Sequence, residues 1–430
     1  MKICMFTNTY RPHVGGVANS VATFAEDLRR IGHRVLIVAP EFDNEPPEEA
    51  GGDEVVRLPA IQNFNGSDFA VRMPIPFLVA DRMEAFQPDL VHSHHPYLLG
   101  DSALRTAKHH RIPLVFTHHT LYERYTHYVS SDSAALRRFA VHLSTEYANL
   151  CTRVVAPSAS IARLLSDRGV QKPVDVIPTG VDLPFFAAGD REGFRQAHGI
   201  PKDAIVVGHV GRLAPEKNLV YLAQAVAAFL QTEEKACFLV IGSGPSESDI
   251  AAIIAREGLT ARLAMAGRQS GKALRDGYRA MDVFGFASQS ETQGMVLTEA
   301  LAAGVPVVAL DGSGVREVVQ DGVNGRLLPA DTPVQDFARA LRGWLSAHPP
   351  ATGDPSRIRS SVAGFDRRAC ARRMADLYAS ALEDQRHQEG PETDADPLDS
   401  LLQRIRTEWD LVESKLSAAI QTFSESETPE

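Results

Sequence analysis

The chain has 430 residues, 44% hydrophobic and 23% charged, too many for one ordinary core and enough for two α/β domains with sequence left over. Its 54 acidic residues against 44 Lys and Arg give a net charge of −10, which excludes a general nucleic-acid binder and leaves room for a small anion in a local basic pocket. No apolar run approaches the ~20 residues of a membrane-spanning helix, the N-terminus lacks the apolar core of a secretion signal, and Cys4, Cys151, Cys237 and Cys370 are too scattered for disulfides or a zinc site; a cytoplasmic protein is expected.

The opening run Lys2 to Thr7 reads as a buried strand, followed by a loop holding Gly15 and Gly16 and a helical pattern through Val17, Val21, Phe24, Ala25 and Leu28. Strands are predicted at 35–39, 89–92, 114–117 and 153–156, with helices between them. Residues 40–54, rich in Glu, Pro and Gly, read as a surface loop. The alternation restarts at 204–210 and continues with strands at 237–241, 263–266, 283–286 and 306–309. Such a pattern predicts two Rossmann-like α/β domains with parallel sheets covered on both faces, and a ligand beyond the carboxyl ends of the strands, in a central cleft between the halves. The hinge is placed near 178–190, with domains at 1–183 and 184–363. Residues 347–358 and 383–397 read as polar linkers, and 366–382 as a helix.

The chemistry concentrates in the second half. The stretch Ser290 to Glu299 puts Glu291 in a loop and Glu299 on the helix after it, with Gly294, Met295 and Val296 at the helix N-terminus. Unpaired amides and the helix dipole favour a phosphate there, while carboxylates accept hydrogen bonds from ribose or sugar hydroxyls. Arg212 and Lys217 follow the first strand of this half, where fixed cations can neutralise charge growing on a departing diphosphate. Two solvated glutamates and a surface salt bridge are the plainer alternatives. Gly244, in the turn Gly242-Ser243-Gly244-Pro245, and Gly267 before Arg268 add glycines at two further strand ends, each allowing backbone to approach a ligand. No Gly-x-Gly-x-x-Gly follows any strand, which argues against an NAD-dependent enzyme. The run His92-Ser93-His94-His95 lacks a clear fourth ligand, and no metal site is expected.

In order along the chain, Gly15-Gly16, His119-Thr120, the segment Ile177 to Asp182, Gly211-Arg212 with Lys217, the Gly242 to Pro245 turn and Glu291 to Glu299 resemble the large family 4 of retaining glycosyltransferases with the GT-B fold, over roughly residues 1–382. The resemblance implies that Glu299 holds the nucleotide ribose. Glu291, with the amides of Gly294, Met295 and Val296, would hold the transferred sugar and distal phosphate. Arg212 and Lys217 would grip the diphosphate, Gly15 and Gly16 would close over it, Gly244 and Gly267 would line the donor, and Arg268 would lie near the base. His119 matches the family's active-site histidine on the acceptor side, although His118 adjoins it. The family works by a same-face mechanism in which the leaving phosphate helps deprotonate the attacking hydroxyl. The other major glycosyltransferase fold uses an Asp-x-Asp metal motif, present here only as Asp394-Ala395-Asp396 in the tail, so a metal-independent enzyme without a cofactor is expected. The rival of another class is a non-catalytic nucleotide-sugar-binding module.

UDP-glucose is the expected donor, as the common donor of similar bacterial enzymes. The segment Thr117 to Glu123 and Pro178-Thr179-Gly180 resemble the branch that glucosylates diacylglycerol, with Tyr122, Tyr125 and Tyr128 as acceptor-side aromatics. A soluble sugar or glycerol-type acceptor is the alternative. A lipid acceptor implies peripheral contact at the inner membrane face. The helix at 364–383 is expected to cross back to the first domain, as in similar enzymes. Residues 384–430 then form a polar linker and an amphipathic helix. There Leu398, Leu402, Ile405, Trp409, Val412, Leu416, Ala419 and Phe423 recur at alternating steps of four and three, a coiled-coil seam. Pairing with a second copy, to give a homodimer, is expected; packing on the body is the alternative, and a basic face for membrane docking is lacking.

Overall fold

The computed structural model describes residues 1–13, 15–42, 54–61, 71–72, 79–124, 133–349, 355–388 and 397–424. It divides into two units, Met1–Gly180 with Arg368–Glu430, and Val181–Arg367.

In the first unit the strands are β1 (Lys2–Phe6), β2 (Arg34–Pro40), β3 (Glu54–Leu58), β4 (Ala60–Ile61), β5 (Val71–Arg72), β6 (Leu90–Ser93), β7 (Leu114–Thr117), β8 (Arg153–Ala156) and β9 (Val174–Val176). Seven of them form one sheet in the order β3-β2-β1-β6-β7-β8-β9, all parallel, and β4 pairs antiparallel with β5. The central strands are continuous apolar runs because helices cover both faces: Cys4 and Phe6 face one core layer, Ile3 and Met5 the other. The second unit has β10 (Ile205–Val210), β11 (Ala236–Ile241), β12 (Leu263–Met265), β13 (Val283–Phe286), β14 (Val307–Leu310) and β15 (Gly325–Leu328). Their order is β12-β11-β10-β13-β14-β15, again all parallel.

Both sheets therefore wind outward in opposite directions from a central pair, β1 and β6 in one and β10 and β13 in the other. At such a reversal the loops leaving adjacent strands diverge to opposite faces and open a crevice beyond the carboxyl ends. The positions of the two candidate half-sites follow from this topology.

The sequence reading missed β3, β4, β5, β9 and β15, and β3 begins within the stretch read as a surface loop. The boundaries fall after Gly180 and Arg367, against 183 and 363 expected. The helix Arg367–Gln388 runs six residues beyond the predicted end at 382 and belongs to the first unit. It buries Cys370, Met374, Leu377, Tyr378 and Ala381 in the layer containing Ile3, Met5 and Val115. Arg153 at the start of β8 holds it by donating to Asp384 at 2.6 Å while also bridging Asp175 at 3.1 Å.

The terminal helix Pro397–Ser424 also packs on the first unit, against helices Leu99–His110 and Ala134–Leu150. Over the stretch whose side chains are described, from 406 to 419 and at 422, the face that does so is not the heptad stripe. Thr407, Leu411, Ser414, Ala418 and Thr422 are buried, whereas Trp409, Val412 and Leu416 are exposed. Among the described residues no helix is long and apolar enough to cross a membrane, and all four cysteines are buried thiols.

Candidate active site

In the second unit the strand β10 ends at Val210 and runs into Gly211-Arg212, then a single 3₁₀ turn at Pro215–Lys217. This loop interlocks with the glycine turn after β11. Leu213 N–H donates to the Ser243 carbonyl at 3.0 Å, and Ser246 N–H donates back to the Leu213 carbonyl at 2.8 Å. Gly242 sits at φ +146, where a Cβ would lie 1.9 Å from the Gly211 carbonyl oxygen; at Gly244 it would lie 2.4 Å from that of Leu213. The glycines at 242 and 244 thus let one loop backbone approach another and hold the Arg212-bearing segment. Gly267 stands in open space at φ +65, after β12; Arg268 beside it is exposed.

The turn brings Lys217 beneath the loop that leaves β13. Its Nζ donates to Glu291 Oε1 at 2.5 Å, and Ser288 Oγ donates to the same oxygen at 2.9 Å. Both ends of the ion pair are mostly shielded, with side chains 17% and 16% exposed. Burial alone would raise the Glu291 carboxyl, but the Lys217 charge, the hydrogen bonds from Lys217 and Ser288, and nearby His209 outweigh it and hold the group below its ordinary range. Glu291 is therefore ionised at neutral pH. Arg212 pairs with Glu216 four residues on, a carboxylate only 5% exposed.

The loop then enters the helix Met295–Ala302 through Gly294, whose left-handed φ of +72 suits glycine and which provides no side-chain cap. Met295 and Val296 occupy the first turn, where amides have no carbonyl partner within the helix. One turn further, Glu299 accepts a hydrogen bond from the buried Tyr278 hydroxyl at 2.6 Å. Burial raises its carboxyl to about 7, against the lowering effect of that bond. Arg212, Lys217, Glu291, Gly294, Met295, Val296 and Glu299 thus come together at the carboxyl ends of β10 and β13. The arrangement suits an anion bearing hydroxyls: two cations, a free helix N-terminus and two carboxylates of different protonation tendency.

In the first unit the corresponding strand ends carry a cluster of histidines. His92, on β6, is fully buried and bonded on both ring nitrogens, through Nδ1 to the Tyr378 hydroxyl and through Nε2 to Thr117 Oγ1, both at 2.7 Å. Asn8 N–H donates to His95 Nδ1 at 3.1 Å. His94 Nδ1 lies 2.9 Å from His119 Nε2 with the rings stacked, so one ring donates and the other accepts. Burial lowers all five imidazoles. His92, His95, His118 and His119 fall to about 3, and His94 falls well below its ordinary value. These five imidazoles are therefore uncharged at physiological pH. His118 is wholly buried while His119 is partly exposed, which separates the adjacent pair. Tyr122 sets its ring edge-on to His118 and Tyr97. Gly15 caps the helix Gly16–Arg30 in extended conformation, where a Cβ would sit 3.0 Å from His13 Nε2; beside Gly16 there is open space. Tyr125 and Tyr128 lie outside the described residues.

The sequence reading did not single out Glu216, Ser288 or Tyr278, and weighed His94 only within a possible metal-binding run. Glu216 and Ser288 are near neighbours of motif residues and could have been found by their spacing. Tyr278 reaches Glu299 from another helix of the second unit, and His94 stands beside His119 from another strand end of the first; only the tertiary fold reveals these contacts.

Residues 14–185 match the family described as Glycosyltransferase Family 4, and residues 190–353 match Glycosyl transferases group 1. A D-inositol 3-phosphate glycosyltransferase of Nocardia farcinica is 32% identical over 401 residues, covering 86% of this chain and 85% of that protein. An alpha-monoglucosyldiacylglycerol synthase of Acholeplasma laidlawii is 29% identical over 342 residues, 76% of this chain and 84% of its own. A GDP-mannose-dependent alpha-mannosyltransferase of Mycolicibacterium smegmatis is 30% identical over 338 residues, 77% and 85%. Among solved structures, Anabaena HepE in complex with UDP-glucose superposes with a TM-score of 0.70 at 21% identity, over 88% of this chain and all of that one.

Proposed function

Because the chain belongs to the family 4 glycosyltransferases and has the GT-B fold, we propose that it moves a hexose from a nucleotide diphosphate sugar to an acceptor hydroxyl, with retention of configuration and no metal, UDP-glucose being the donor and a diacylglycerol-type lipid the acceptor. The observation that carries the donor half of this reading is the Lys217–Glu291 pair beside the Gly294 helix N-terminus. An incoming diphosphate exchanges partners with the two cations: Lys217 turns from Glu291 and Arg212 from Glu216 toward the phosphate oxygens. Negative charge that develops on the leaving diphosphate is then met by Lys217, Arg212 and the amides of Met295 and Val296, groups fixed before the reaction begins. Glu291, released from part of its pairing, accepts from sugar hydroxyls, and Glu299 from the ribose. On the acceptor side a neutral His119, oriented by His94, hydrogen-bonds the sugar or the incoming hydroxyl, whose proton passes to the leaving phosphate oxygen.

The lipid acceptor is supported by the relatives named as glucosyldiacylglycerol synthases and implies peripheral work at a membrane face. A phosphorylated or soluble polyol acceptor is the second reading, favoured by the inositol-phosphate relatives, and GDP-mannose is the corresponding second donor. Radiolabelled UDP-glucose and GDP-mannose, each offered with diacylglycerol vesicles and with inositol phosphates, separate these readings by where the label partitions. The proposal predicts label from UDP-glucose in the organic phase, lost at least 100-fold in Lys217→Met and Glu291→Gln proteins whose circular dichroism still matches the parent's. Label confined to the aqueous phase refutes the lipid acceptor, and near-normal turnover in either variant refutes the donor site.

A further inference from the structure

The terminal helix Pro397–Ser424 presents two distinct faces. One is spent on its own unit: Thr407, Leu411, Ser414, Ala418 and Thr422 are buried, with Leu411 joining the core that contains Leu99 and Tyr147. Arg105 clamps that side by donating twice to Glu408, at 2.5 and 3.0 Å, and Lys415 donates to Asp101 at 2.7 Å. The other face carries Trp409, Val412 and Leu416, which are 68%, 50% and 56% exposed and are the three most exposed large apolar side chains among the described residues. They belong to the eight-position heptad series running from Leu398 to Phe423 in the sequence. A helix already docked by its other side gains nothing for its own fold from a seam of this kind.

We propose that this face pairs with the same helix of a second copy, antiparallel about a two-fold axis, with Trp409 opposite the partner's Val412. Charge complementarity selects both the partner and the direction. In the antiparallel register that matches all eight seam positions, position 398 meets the partner's 423 and 409 meets 412. The flanking charges then pair: Arg406 faces the partner's Glu413, and Glu408 faces the partner's Lys415, each contact occurring twice by symmetry. A parallel pair instead sets Glu408 against the partner's Glu413 on both sides of the axis, a like-charge contact that opposes association. Because Glu408 and Lys415 are already anchored by Arg105 and Asp101, they reach the interface with little side-chain freedom left to lose. A membrane is the poorer occupant. The charged residues along this stretch, Arg406, Glu408, Asp410, Glu413 and Lys415, sum to −1, whereas helices that lie on anionic lipid carry a basic polar face.

Sedimentation velocity of the full chain at micromolar concentration tests the interface, and charge exchange tests its direction. The proposal predicts a dimer of twice the 46.8 kDa chain mass, a monomer for Leu416→Asp, at least tenfold weaker association for Arg406→Glu, and recovery in the Arg406→Glu, Glu413→Arg double variant. Because these side chains are exposed, circular dichroism of each variant should match the parent. A monomeric full chain, or a dimer that survives Leu416→Asp, overturns the interface, and failure of the double variant to recover overturns the antiparallel register. Flotation of a monomeric chain with anionic vesicles, abolished by Leu416→Asp, assigns the face to membrane instead.

Discussion

At the scale of single residues, the donor half-site sets two carboxylates in opposite electrostatic states. Glu291 is kept ionised because Lys217 and Ser288 both converge on one of its oxygens, while Glu299 has a single neutral donor, Tyr278, and is pushed up to about 7 by burial. This difference has a measurable sign. A carboxyl raised from its ordinary 4.5 to about 7 retains in the folded state a proton that the unfolded chain has already released. Its contribution to stability is therefore complete below pH 4.5, falls as pH rises through the window up to about 7, and is flat above. Glu299→Gln removes that dependence. Chemical denaturation of parent and variant from pH 5 to pH 8 should show the variant gaining on the parent by on the order of 2 kcal/mol across the range. Parallel pH profiles for the two proteins would mean that Glu299 is not held in this way.

At the scale of elements, loop interlock rather than sequence-local preference positions Arg212. Gly242 is required because its missing Cβ is where the Gly211 carbonyl lies, so Gly242→Ala should cost on the order of 3 kcal/mol through overlap and backbone strain. Gly267→Ala meets no atom and carries only the strain of its φ, about 1 kcal/mol; equal losses of thermal stability at the two positions would contradict the interlock. The central strands were legible from sequence because both faces of each are covered, leaving uninterrupted apolar runs such as Ala236 to Ile241. Of the missed strands, β3, β9 and β15 lie at sheet edges, and β4 and β5 pair only with each other. There burial is partial and polar residues such as Asp175 and Arg326 break the run. The terminal helix was legible as a helix but not as a docked one. Among the side chains described, its buried face is mostly small or polar, with Thr407, Ser414, Ala418 and Thr422 around Leu411, and this pattern does not mark a docked face in the sequence. The site shows the same limit: Arg212, Lys217, Glu291 and Glu299 stand in recognisable local motifs, whereas the contributions of Tyr278 and His94 depend on contacts across many residues.

At the scale of the whole molecule, two parallel sheets with the same order of winding each place chemically active loops at the reversal point. One bears neutral, buried histidines around a partly exposed His119, and the other bears paired cations and carboxylates at a helix N-terminus. The division of labour suits a transfer in which the charged donor is held by one unit and an uncharged hydroxyl is presented by the other. The most direct test of this account is the anomeric configuration of the product formed from a nucleotide diphosphate α-hexose, read from the anomeric proton coupling by NMR. The account predicts an α-linked product that is lost when Lys217 or Glu291 is replaced. A β-linked product would contradict the mechanism, and an enzyme that binds UDP and GDP sugars yet transfers neither to lipid nor to soluble acceptors would contradict the central claim.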